Sequence, residues 1–165
     1  MRRTLFPHPS RFASRGRAAA VVAVTGAALL MSACSPAVSV PAPPSAADPA
    51  CSAIMLSLPQ EIDGQAKRVT TSQSTAAWGE PASIVLECGA AETGPSSDPC
   101  TTLDGVDWVA HENEAKDSWT LSAYGRAPHL SVTIDTSTVT SAAVATALTE
   151  SAKRATVSKR CLDAP

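Results

Sequence analysis

The chain has 165 residues, of which 44% are hydrophobic and only 4% aromatic, and its formal net charge is −2. Five arginines and no acidic residue precede residue 34, whereas the rest of the chain carries eight basic and fifteen acidic residues. The length excludes two large domains, and the acidic remainder excludes an electrostatic nucleic-acid binder. The single long apolar run excludes a protein with several membrane spans.

That apolar run occupies residues 18–31, directly after the basic leader. An α-helix of this length rises about 21 Å, which is short of the ~30 Å hydrocarbon core of a bilayer. A basic start, a short apolar run and small residues after it are typical of an export signal. We therefore predict that residues 1–33 are a signal peptide.

The end of the leader reads Leu30-Met31-Ser32-Ala33-Cys34, which resembles a bacterial lipobox, the motif that directs lipid attachment to its cysteine. The resemblance implies that Cys34 is acylated and becomes the first residue of the mature protein. Two or more acyl chains anchor a protein stably to a membrane. We therefore expect the protein at the outer face of the cytoplasmic membrane, with the membrane as a partner through Cys34.

A segment rich in proline, alanine and serine follows the lipobox, over residues 34–50. Proline-rich chains favour the extended polyproline II conformation, at about 3.1 Å per residue. We predict a linker that could hold a domain up to roughly 40 Å from the membrane. A single disulfide-stabilised domain is expected over residues 51–165.

Two helices are predicted at the ends of this domain. Asp48-Pro49 is typical of a helix start, and apolar residues at helical spacing then precede Pro59, namely Cys51, Ile54, Met55 and Leu58. A second helix is predicted from about residue 137 to residue 158. Its apolar stripe is Val144, Leu148, Ala152 and Ala155.

The region between the helices alternates between apolar and polar residues, which predicts strands. The candidate strands are 66–72, 83–88, 106–110, 119–123 and 130–134. Two short connectors predict hairpins that pair Trp108 with Trp119, Leu121 with Val132, and Trp119 with Ile134. The predicted fold class is α+β, an antiparallel meander sheet of about four to five strands with two helices packed on one face and two disulfides.

Four cysteines remain after Cys34, and four cysteines allow three pairings. An exported protein enters a compartment where disulfides persist. The preferred pairing is Cys88 with Cys100, which closes the short loop 89–99. Cys51 would then join Cys161 and pin the first helix to the end of the chain.

Several local motifs together resemble one family. They are Leu58-Pro59, Ala77-Trp78-Gly79-Glu80-Pro81, Ile84-Val85-Leu86-Glu87-Cys88-Gly89, Gly105-Val106-Asp107-Trp108 and Tyr124-Gly125-Arg126-Ala127-Pro128. This ordered set, over residues 48–148, resembles the exported bacterial proteins grouped as domain of unknown function 3515. The resemblance implies an exported, often lipid-anchored envelope protein of high-GC Gram-positive bacteria, and it supplies no activity and no catalytic residues.

The sequence carries none of the usual catalytic motifs. It has no Gly-x-Ser-x-Gly elbow, P-loop or dinucleotide-binding glycine pattern. The run His111-Glu112-Asn113-Glu114 is better explained by a hairpin turn than by a metal site. We therefore expect no enzyme activity, no cofactor and no metal.

A candidate binding surface is predicted around the Gly-Pro turn, at Tyr124, Arg126 and His129, with Trp78 as a further candidate. The Arg126 guanidinium could hold a carboxylate or phosphate of a ligand, or it could instead bond a backbone carbonyl or pair with a nearby Asp. The favoured function is a non-enzymatic binding or accessory module that meets an envelope protein or a wall component. The alternative is a small hydrolase-like envelope enzyme whose site is not recognisable from sequence.

Overall fold

The structure is a computed structural model that describes residues 35–92, 94 and 97–161. Two helices are described, α1 (Ala50–Leu56) and α2 (Ser141–Ala152). The strands are β1 (Glu61–Ile62), β2 (Gln65–Arg68), β3 (Thr75–Trp78), β4 (Ile84–Cys88), β5 (Cys100–Leu103), β6 (Val106–Glu112), β7 (Ser118–Ala123), β8 (Arg126–Ala127), β9 (Leu130–Asp135) and β10 (Thr156–Val157). None of the helices in these ranges is long and apolar enough to cross a membrane.

Eight of the strands form one antiparallel sheet in the order β1-β2-β3-β4-β9-β7-β6-β5, and β8 pairs with β10 in a separate small ribbon. The two helices contact each other, and both contact the sheet. Buried side chains of α1 and α2 form one hydrophobic core with alternate residues of the central strands. This architecture confirms the predicted α+β class, with two helices, an antiparallel sheet and two disulfides.

The predicted number of strands is wrong, because the sheet has eight strands and not four to five. All four residues of β3 are buried, and the residues of β5 are exposed except for the half-buried Leu103. Neither strand therefore alternates between buried and exposed side chains. Strand β1 has only two residues, too few for a period of two to stand out, whereas the candidate strand 66–72 overlaps β2. Hydrogen bonds to longer neighbours define these short strands, and a local sequence pattern does not contain that information.

One of the two predicted hairpin registers is confirmed and the other is shifted. Strands β7 and β9 pair Trp119 with Ile134 and Leu121 with Val132, as predicted. Strands β6 and β7 instead pair Trp108 with Ala123. The hairpin closes at Asn113, whose N–H donates to Ser118 O at 2.8 Å and whose side chain donates to Ser118 Oγ at 2.9 Å. A shift by an even number of residues keeps the same side chains on each face.

The second helix is shorter than predicted. The Thr140 hydroxyl accepts a hydrogen bond from the N–H of Ala143 and caps the helix, so α2 begins at Ser141 and not near residue 137. Its end is at Ala152 because Thr156 and Val157 pair with β8. All four residues of the predicted apolar stripe are buried in the core: Val144, Leu148, Ala152 and Ala155.

The proline-rich segment is not a free linker, contrary to prediction. The compact unit that contains the sheet begins at Pro36. Within it, the Val38 N–H donates to Val69 O at 2.8 Å and Val40 is buried. Side-chain hydroxyls of the 70–74 turn donate to carbonyls of this segment, for example Ser72 Oγ to Val40 O at 2.5 Å. These bonds satisfy backbone carbonyl groups of an extended segment that has few N–H donors of its own.

The predicted disulfide pairing is also wrong. The structure joins Cys51 to Cys88 and Cys100 to Cys161, with Cα–Cα distances of 5.8 and 6.4 Å. Cys88 lies on β4 and Cys100 on β5, and three strands lie between them. Four strand spacings amount to about 19 Å, well beyond the ~4.4–6.8 Å that a disulfide spans.

Candidate functional site

The connection between β7 and β9, residues 124–129, carries most of the predicted binding surface and is called the Gly125 turn. The C-terminal segment, residues 156–161, lies across it. The N–H groups of Ser158 and Lys159 donate to Gly125 O at 2.7 and 3.2 Å. Gly125 has φ +61°, and a Cβ atom there would overlap the carbonyl of Lys159. Only glycine permits this close approach of two backbones.

Arg126 supports the fold at this turn. Its side chain is buried, with Nη2 donating to Gly105 O at 2.6 Å and Nη1 donating to Ala155 O at 3.2 Å. Burial lowers the pKa of the guanidinium, and the charge of Arg160 lowers it further. Arg126 therefore ties the Gly125 turn to two other loops, which matches the predicted alternative of carbonyl bonding and not that of a ligand-binding fork.

His129 is the most unusual polar residue of the turn. It is only 9% exposed, and neither ring nitrogen has a hydrogen-bond partner among the described residues. Burial lowers the pKa of His129, and the carboxylate of Glu92 opposes this effect. Glu92 itself is paired with Lys159 of the C-terminal segment at 2.7 Å. The imidazole is thus enclosed in the folded protein, in an environment that disfavours its charged form.

The burial of His129 predicts a loss of stability in mild acid. Its pKa in the folded state lies below the ordinary 6.5, so the unfolded state binds the proton more readily. The contribution of the uncharged ring to stability is then fully present above about pH 6.5, and it decreases as the pH falls toward the lower folded-state pKa. Urea unfolding between about pH 7.5 and about pH 5 measures this slope.

The variant His129→Gln should remove most of this dependence, because glutamine does not titrate. The matched control is His111→Gln, which replaces the other histidine of the domain at an exposed position. This control should retain the slope. An unchanged slope in His129→Gln would show that another group is responsible.

Two further predicted residues are placed differently. Trp78 is fully buried, and its indole Nε1 donates to Pro59 O at 3.1 Å. It belongs to the core, so its prediction as a binding-surface residue is wrong. Tyr124 is half-buried, and its N–H donates to Asp107 O at 2.8 Å.

A small cavity lies at the opposite end of β4 and β9 from the Gly125 turn. It has a volume of about 240 Å³, and Ser83, Lys116, Asp117, Thr133 and Asp135 are among its lining residues. The Ser83 hydroxyl is buried and has no partner among the described residues. The Asp135 carboxylate accepts hydrogen bonds from Ser137, and these lower its pKa. The volume is below the range of about 300–1,000 Å³ that is usual for ligand pockets.

The exposed His111 lies near the outer edge of the sheet. Its Nδ1 is 2.9 Å from Asp98 Oδ2. Among residues 35–92, 94 and 97–161, no group of three or more His, Cys, Asp or Glu side chains is arranged to hold a metal ion. No sequence motif marks Asp98, Glu92, Lys159 or Ser83 as candidate site residues.

The fold and these surfaces define a small α+β domain with two disulfides and a C-terminal segment held across one end of its sheet. A family model described as "Protein of unknown function (DUF3515)" matches residues 17–160, and the chain belongs to this family. The match confirms the predicted resemblance. No curated protein and no solved structure matches the chain.

Proposed function

We propose that this protein is an exported lipoprotein, anchored through Cys34 at the outer face of the cytoplasmic membrane, and that it serves there as a non-enzymatic binding or accessory module. One observation carries the proposal most directly. The compact unit that contains the sheet begins at Pro36, two residues after the lipobox cysteine, and contains both disulfides. Lipoprotein processing, which would cut before Cys34, would therefore leave this compact unit whole, with only Cys34 and Ser35 ahead of it.

The cysteine pattern supports export. Four of the five cysteines pair with one another, and Cys34 is the fifth. Disulfides persist in oxidising compartments and are rare in the bacterial cytosol. A chain that keeps one cysteine apart from two disulfides is what an exported lipoprotein requires.

The leader supports the same assignment. The family match begins at residue 17, at the end of the basic leader, and so includes the apolar run and the lipobox. The run is shorter than a bilayer core, so a lipid and not a membrane-spanning helix would provide the stable anchor.

The binding-module assignment rests on how the polar residues are arranged. A hydrolase triad needs a nucleophile, a base and an acid within hydrogen-bond reach. Among the described residues, His111 bonds Asp98, His129 bonds nothing through its ring, and neither ring is bonded to a Ser or Thr hydroxyl. This arrangement favours a module that acts by binding.

The variant Cys34→Ala tests the anchor. Without the acceptor thiol, the protein should leave the membrane fraction or accumulate as an uncleaved precursor, and fractionation followed by immunoblotting measures both. The matched control Ser35→Ala, one residue further on, should keep its membrane retention and its processing. Unchanged processing and membrane retention of Cys34→Ala would rule out lipid attachment at this residue.

A further inference from the structure

We infer that the domain rests directly on the lipid surface, with one defined side of its sheet against the headgroups. That side consists of residues 36–39 and Val69 and is called the tether face. The inference depends on the proposed lipid anchor at Cys34. It goes further by specifying the orientation of the domain and the residues that contact lipid.

The first step is the length of free chain. Only Ser35 separates Cys34 from Pro36, where the folded unit begins. Two residues of fully extended chain span at most about 7 Å. The headgroup region of one leaflet is about 5–8 Å thick, so the chain cannot lift the domain clear of it.

The second step is that the start of the domain is fixed in place. Arg68 Nη2 donates to Pro36 O at 2.7 Å, and the same side chain pairs with Glu80 at 2.6 Å. Val38 then forms a parallel bridge with Thr70, with the Thr71 N–H donating to Val38 O at 3.0 Å. Because these contacts hold residues 36–38 beside β2, the anchor would pull this side of the sheet toward the membrane.

The third step is the chemistry of the surface. Val69 is 75% exposed, and it is one of three large hydrophobic side chains exposed in the described part of the chain. Its carbonyl accepts the hydrogen bond from Val38, so this apolar side chain adjoins the anchored segment. Arg68, the residue before it, is paired with Glu80. Lys67 is half-buried, with its ammonium group 6.0 Å from the centre of the Trp78 ring. The contact is therefore apolar, at headgroup depth, and requires no anionic lipid.

The chain offers a matched control in Val157, which is 41% exposed. Val157 lies on β10, which pairs with β8 in the Gly125 turn. This turn leads into β9, three strand spacings from β2 in the sheet, or about 14 Å. A domain that rests on its tether face keeps Val157 in water.

The experiment uses the full chain in right-side-out membrane vesicles with a membrane-impermeant maleimide as the probe. Val69→Cys should lose most of its labelling in vesicles and regain it when the same vesicles are dissolved in detergent. Val157→Cys should be labelled in both conditions. Ser39→Cys, at an exposed position of the tether face, is a second variant and should behave as Val69→Cys does.

Fractionation of the same samples tests the lipid anchor separately from the orientation of the domain. If the protein is recovered in the soluble fraction, the lipid anchor is wrong and the orientation is wrong with it. If membrane-bound Val69→Cys and Ser39→Cys are labelled as fast as Val157→Cys, the anchor stands and the contact of the tether face with lipid is refuted.

Discussion

Replacing Trp78 with alanine is expected to lower the free energy of unfolding by about 3–5 kcal/mol, as for other large buried aromatic residues. Trp78 lies on β3, between β2 and β4 in the sheet, and its side chain is fully buried. Its Nε1–H also donates to Pro59 O, and this bond holds the loop that follows α1. Urea denaturation followed by circular dichroism measures the loss.

The matched control is Trp119→Ala. Trp119 is only half-buried and packs at the margin of the core, so its truncation should cost clearly less. A third variant, Trp78→Phe, retains most of the apolar volume but leaves the Pro59 carbonyl without its donor, which costs about 1–3 kcal/mol. Equal losses for Trp78→Ala and Trp119→Ala would contradict the placement of these two rings.

The second large effect is expected from the disulfides. Cys51 and Cys88 are 37 residues apart in sequence, and closing a loop of this length stabilises a domain by about 4 kcal/mol in the chain-entropy model. The double variant Cys51→Ala/Cys88→Ala should lose this amount and more. Both cysteines are buried in the core, so their removal also leaves a cavity.

The comparison is Cys100→Ala/Cys161→Ala, which opens a loop of 61 residues. Its loop-entropy cost is similar, at about 4 kcal/mol, but Cys100 is exposed and Cys161 is half-buried. The first double variant should therefore be the less stable of the two. Non-reducing peptide mapping checks the connectivity, and a Cys88–Cys100 peptide would refute it.

The sequence patterns predict the parts of this fold that depend on local periodicity. The apolar stripe of α2 and the register of β7 against β9 follow from spacings of 3.6 and two residues. In both cases several apolar side chains share one buried face. In the strand pair, a shift of the register by one residue would move all of them to the exposed face. The position of a helix end does not follow, because single bonds such as that of Thr140 decide it.

Features that depend on contacts between distant segments could not be predicted. The proline-rich residues 36–46 have the composition of a free linker, yet hydroxyls such as those of Ser72 and Ser74, about thirty positions away, hold this segment on the domain. The disulfide pairing depends on the order of strands in the sheet. The predicted pairing of Cys88 with Cys100 rests on the short loop between them, and loop length carries no information on strand order.

The candidate site illustrates the same limit. The position of Tyr124, Arg126 and His129 around one turn was predictable from the strand pattern, but their exposure was not. The C-terminal segment covers this turn, and the sequence pattern places its first residues, 156–158, at the end of the predicted helix. Its bonds to Gly125 and its ion pair with Glu92 enclose residues that would otherwise form a polar face.

The most direct test of the proposed anchor is mass spectrometry of the N-terminal peptide of the mature protein, purified from membranes. We expect this peptide to begin at Cys34 and to carry the mass of an attached lipid, with Pro36 as its third residue. A mature N-terminus upstream of residue 34, or an unmodified Cys34, would contradict both the anchor and the orientation of the domain on the membrane.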